Sequence, residues 1–143
     1  MQILIINGPN LNLLGTREPE IYGSQTFEDY FKTLQSDNPE VSLTYFQSNI
    51  EGEIIDTLHV HGFKVDGIII NAGGYSHTSV AIADAISAIT APVVAIHISN
   101  TFSREAYRHT DLIAGKCKGL ICGLGLKGYA LAIKFLVDLK SQI

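Results

Sequence analysis

The sequence of 143 residues has no tryptophan and only two cysteines. A pair of thiols is too few to staple a small secreted fold. Cys117 and Cys122 lie five apart in an expected strand, so they would point to opposite faces and not bridge. Two buried, reduced thiols in a reducing cytoplasm fit better. No cysteine–histidine spacing resembles a zinc site. Basic residues are also scarce, and ten Lys and Arg against fourteen Asp and Glu leave a net charge of −4. That balance argues against a nucleic-acid partner, because phosphate contacts need a basic face. No apolar run approaches the roughly 20 residues of a membrane-spanning helix. The opening residues lack the basic start and small-residue cleavage site of a secretory signal. The expectation is a cytoplasmic protein with no membrane partner.

What is abundant is Ile, Val, Leu and Ala, within a 46% apolar composition that can fill a real core. Residues 1–143 are expected to form one domain, without repeat, linker or low-complexity stretch. Apolar runs "ILII" (3–6), "VSLTYF" (41–46), "DGIIIN" (66–71), "PVVAIHI" (92–98) and "GLIC" (119–122) read as strands covered on both faces. Helical patterns fill the gaps. "TFEDYFKTLQS" starts at an N-cap, Thr26; "EGEIIDTLHVHG" stops at Gly62; "SHTSVAIADAISAI" sets Ile82, Ile86 and Ile89 on one face; "LKGYALAIKFLVDLK" follows. Strand–helix alternation predicts an α/β, flavodoxin-like three-layer sandwich with a five-stranded parallel sheet.

Ligands of such sheets bind beyond the carboxyl ends of the strands. The polar residues there are Asn7 to Tyr22, Ser48 to Glu53, Asn71 to His77 and His97 to Arg108. Within "NGPNLNLLGTREPEIYG" (7–23), Arg17 and Tyr22 stand five apart. A phenol ionises near pH 10, so a phenolic base needs a cation. One guanidinium about 4 Å away offers roughly 4 kcal/mol at an effective dielectric of 20. The bland alternative is an exposed Arg and a packed Tyr. His97, at a strand end, is either a proton carrier or a satisfied core histidine. Arg104 and Arg108, at helical spacing, suit a carboxylate or phosphate, or form a solvated patch. His77 lies near a helix start where backbone amides could bind an anion. Asp84, two helical turns on among Val80, Ala81, Ala85 and Ala88, either pairs within its subunit or is presented to a ligand or neighbouring chain. "GLGLKG" (123–128) matches a dinucleotide fingerprint but sits on the wrong strand, so close helix–strand packing is the better reading.

"NGPNLNLLGTREPEIYG", "FQSNIEGEIID", "INAGGYSHTSVAIADA" and "HISNTFSREAYR" together resemble the type II 3-dehydroquinate dehydratases, in order along nearly the whole chain and including "GLGLKGYALAI". The resemblance implies a lyase of the shikimate pathway that dehydrates 3-dehydroquinate to 3-dehydroshikimate without metal or organic cofactor. By that resemblance Tyr22, activated by Arg17, takes a proton from carbon. Asn10 holds a water that stabilises the enolate, and His97 protonates the departing hydroxyl. Asn71, His77, Ile98, Ser99 and Arg108 hold the substrate, and Arg104 supports the site or a lid. Asp84 matches a residue that reaches an adjacent subunit in a homododecamer of four trimers. The first loop would then be a lid carrying the base. One departure is Ala95, where family members commonly carry an acidic residue two positions before the histidine. His97 then lacks a strand-borne carboxylate to orient it, and reduced turnover or a shifted pH optimum is expected. The competing readings are a non-catalytic flavodoxin-like binding or assembly module and a nucleotide-binding domain using "GLGLKG".

Overall fold

A computed structural model describes all 143 residues. Five strands, β1 (Gln2–Asn7), β2 (Ser42–Gln47), β3 (Gly67–Asn71), β4 (Val93–His97) and β5 (Gly119–Cys122), form one parallel sheet in the order β2-β1-β3-β4-β5. Side chains alternate across it with period two. Ile3 and Ile5 pack with Phe27, Leu34, Tyr129, Ile133 and Leu136 on one face. Leu4 and Ile6 pack with Ile54, Leu58, Ile82 and Ile86 on the other. The first face is covered by α2 (Phe27–Asp37) and α5 (Lys127–Ser141), the second by α3 (Glu51–His61) and α4 (Val80–Ala88). This is the flavodoxin-like sandwich the alternation predicts. A single extra helical turn, α1 (Pro19–Tyr22), lies in the first loop. Leucines as fully buried as Leu34 and Leu58 contribute about 2–5 kcal/mol each, judged by truncation to alanine.

Thr26 caps α2 as expected, its hydroxyl accepting from the Asp29 amide at 3.2 Å. Gly62 ends α3 for a different reason from the expected one. Its backbone is right-handed, and it is small because a Cβ would lie 2.5 Å from both Leu58 O and Ile89 Cγ2. The helix expected from residue 76 starts later. Gly73–His77 is a tight 3-10 turn, and Ser79 caps α4 by accepting from the Ile82 amide at 2.9 Å. His77 and Asp84 therefore do not share a helix face. Asp84 is exposed and unpaired within the chain, as the buried face of α4 is Ile82, Ala83, Ala85 and Ile86. Cys117 precedes β5 instead of lying in it, and both thiols are free and half-buried.

Candidate active site

The chain leaves β1 toward β2 on one side of the sheet, while β3 lies on the other side. The strand ends diverge there, and a crevice opens above the registered pair Asn7 and Asn71. Tyr129 of α5 is fully buried and ties that pair together. The phenol donates to Asn7 Oδ1 at 2.8 Å and accepts from Asn71 Nδ2 at 3.1 Å. Burial pushes the Tyr129 phenol up, against the Asn71 hydrogen bond that lowers it, so it stays neutral. Asn71 Oδ1 accepts from the Gly73 amide at 3.2 Å. Asn71 is thus committed to the scaffold, with one N–H left for a ligand.

The first loop is fixed at its base. Leu11 and Leu14 are buried in the core beside Phe27, which explains leucines in an otherwise polar segment. The Gly8 amide donates to Asn71 O at 2.7 Å, and a Cβ at Gly8 would lie 2.6 Å from Ala72 O. Asn10 takes a left-handed backbone, with its amide donating to Asn49 Oδ1 at 3.0 Å. Asn49 O in turn accepts from the Tyr75 hydroxyl at 2.9 Å. The segment after β2 therefore holds the first loop without itself lining the crevice.

Tyr22 sits between two guanidiniums. Arg17 lies 5.5 Å from the ring centroid and pairs with Glu18 at 3.5 Å. Arg104 makes the direct contact, donating to Tyr22 Oη at 2.8 Å and to Ser99 Oγ at 3.2 Å. The sequence pairs Tyr22 with Arg17 because they are neighbours in the chain. Arg104 is 82 residues away and is brought close by the fold. Arg104 and Arg108 are not on one helix. Arg104 follows the 3-10 turn Thr101–Ser103 and Arg108 lies in the next one, Ala106–His109, and Glu105 between them contacts Arg108 Nε at 2.7 Å and Arg104 Nε at 3.9 Å.

His97 ends β4, 8% exposed, with its ring stacked on His77 at 5.7 Å. Two charged imidazoles at that spacing would repel by about 3 kcal/mol at an effective dielectric of 20. His77 Nδ1 lies 2.7 Å from Thr110 O, so that nitrogen carries the proton. His97 Nε2 lies 2.8 Å from Asp111 Oδ2. Sequence reasoning missed Asp111. It lies beyond the last motif, 14 residues after His97, and no spacing rule joins a strand end to that loop. Burial raises the Asp111 carboxyl. Hydrogen bonds from His97 and from the Ala114 and Ile113 amides, with the His97 charge, outweigh that and hold it below its ordinary value. Burial first, and then the Asp111 charge, push the nearby Cys117 thiol up to about 12, which keeps it unreactive.

"GLGLKG" spends two of its backbone amides on the neighbouring strand end. The Gly123 amide donates to His97 O and the Gly125 amide to Ile98 O, both at 3.0 Å, so the loop straps the end of β4. The cavity above β1, β3 and β4 measures about 140 Å³. Asn10, Arg17, Tyr22, Asn71, His77, His97, Ile98, Ser99, Arg104 and Arg108 all line it, whereas Asp84 does not. Glu18 and Glu105 contact the three guanidiniums from outside the lining, which itself holds no Asp or Glu, so the cavity side suits an anionic ligand. No three His, Cys, Asp or Glu side chains converge as a metal-ligating group.

The chain is similar to known proteins along nearly its whole length. The model of the family described as dehydroquinase class II matches residues 1–137. A 3-dehydroquinate dehydratase from an Exiguobacterium species is 52% identical, over 96% of this chain and 95% of its own. One from Clostridium acetobutylicum is 49% identical over 99% and 100%. The crystal structure of a type II dehydroquinase from Butyrivibrio crossotus superposes with a TM-score of 0.92 at 43% identity, covering 95% of this chain and 97% of the other. With a matching sheet, a matching family model and relatives of equal length, this chain belongs to the class II dehydroquinase family.

Proposed function

We propose that the chain is a hydro-lyase that converts 3-dehydroquinate to 3-dehydroshikimate and water in the shikimate pathway, through an enolate. Tyr22 as phenolate takes a proton from the carbon beside the ketone. The electron pair moves into the enolate, whose oxygen is stabilised through a water held by Asn10. The enolate then re-forms the ketone as the C–O bond to the neighbouring hydroxyl breaks. His97 gives that hydroxyl its proton, so water leaves. A proton passes from Tyr22 back to His97 by way of solvent, and the cycle closes. Asn71, His77, Ile98, Ser99 and Arg108 hold the hydroxyls and carboxylate. No metal or organic cofactor takes part.

The observation that carries this reading is the 2.8 Å contact from Arg104 to Tyr22 Oη in a cavity lined by no carboxylate. It favours negative charge on the phenolic oxygen and an acidic substrate beside it. The non-catalytic module is not favoured, because it has no use for that constellation. Residues 1–143 act as one catalytic domain. The free thiols Cys117 and Cys122 suit the cytoplasm. Exposed, unpaired Asp84 is available to a neighbouring copy in a homododecamer of four trimers.

The product is a conjugated enone, so incubation with 3-dehydroquinate raises ultraviolet absorbance. Tyr22→Phe abolishes the rise while thermal unfolding stays unchanged. Retained turnover in that variant removes Tyr22 as the base.

A further inference from the structure

We infer that Asp111 is the positioning residue that keeps His97 competent as the acid, fixing one ring proton on Nε2 and leaving Nδ1 to face the reaction. The inference rests on the dehydratase reading for its kinetic consequences, and on geometry alone for the proton placement. Asp111 Oδ1 accepts from the Ile113 and Ala114 amides at 2.9 and 2.8 Å, so the carboxylate cannot swing away. Its Oδ2 lies 2.8 Å from His97 Nε2. An ionised carboxylate only accepts, so Nε2 must carry a hydrogen. Nδ1 has no protein partner. It is therefore the nitrogen that gains the proton when the ring charges and gives it to the leaving hydroxyl.

The surroundings show why a carboxylate is needed. His97 faces a cavity with Arg17, Arg104, Arg108 and Tyr22, and its ring is stacked on His77. Those cations oppose a positive imidazole. Asp111 is the only carboxylate in contact with it. Position 95, on the same strand, is an alanine buried among Ile70, Ile113 and other apolar side chains and supplies none. The carboxylate comes instead from the loop whose Leu112 amide is held by Ser76 O at 2.8 Å and whose Thr110 O meets His77. One short segment thus fixes the protonated nitrogen of both rings. During turnover Asp111 neither gains nor loses a proton; it holds the Nε2 hydrogen while Nδ1 alternates.

Asp111→Asn keeps an oxygen for the two amides but presents an N–H to His97. In the enone assay kcat falls by about 10²-fold with KM changed less than about twofold, and the alkaline limb of the kcat profile moves to lower pH. A folded Asp111→Asn protein with wild-type kcat and an unmoved limb overturns the inference. A wild-type protein that makes no enone overturns the dehydratase reading instead. Nitrogen-15 NMR of histidine-labelled wild-type protein decides the geometric claim without any variant. Neutral His97 must show Nε2 protonated and Nδ1 bare, and the opposite tautomer sinks the proposal.

Discussion

At the scale of single residues, the site depends on which cation touches the phenol. Arg104 reaches both Tyr22 Oη and Ser99 Oγ with one guanidinium nitrogen. A lysine carries the same charge on a strongly hydrated point and lacks the planar fork. Arg104→Lys is expected to lower kcat about tenfold and Arg104→Met about 10²-fold, read by steady-state turnover with unfolding midpoints as the control. Sequence reasoning finds Tyr22, His97 and the arginines because each follows a strand end. Their pairing is not legible, since contacts such as Arg104–Tyr22 and Asp111–His97 depend on how loops fold back over the sheet. Ala95 shows the limit well. Read along the strand, it leaves His97 unpartnered, whereas in space a carboxylate from elsewhere meets the ring.

At the scale of elements, the strands and helices follow from local rules: continuous apolar runs, the Thr26 cap and period-two alternation all agree with the fold. The misses are tight turns. Ser76 and His77, expected to open a helix, instead close the 3-10 turn Gly73–His77, and Ser79 captures the Ile82 amide and starts α4. Near the site, added bulk is least tolerated at Gly8, where the first loop crosses the end of β3. Gly8→Ala sets a methyl 2.6 Å from Ala72 O. It is expected to cost about 1–3 kcal/mol in denaturant unfolding. It should also lower kcat beyond that loss, because the Asn10–Tyr22 segment lifts off Asn71. Wild-type turnover in a destabilised Gly8→Ala protein would separate the loop's packing from its chemistry.

At the scale of the whole molecule, a chain of net charge −4 gathers its three arginines around one cavity, which draws an anionic ligand toward it. A second electrostatic tie lies at the far end of the sheet. The Asp66 carboxyl is held below its ordinary value by Lys140, then by the Gln2 amide, which joins the first strand to the last helix. Because the folded value is lowered, its stabilisation is complete above about pH 4 and is lost as pH falls through the folded value. Asp66→Asn is therefore expected to lower the unfolding midpoint at pH 7, by less than about 1 kcal/mol for so exposed a pair, and to change nothing near pH 2. Equal losses at both pH values would show that the tie is not ionic. The buried tie between Asn7 and Asn71 has a consequence for biosynthesis. The phenol of Tyr129 bridges Asn7 and Asn71 from a point 122 residues downstream of Asn7. A ribosome must therefore release almost the entire polypeptide before the two asparagines are pinned, and a nascent or prematurely terminated chain carries every reacting group yet no finished pocket.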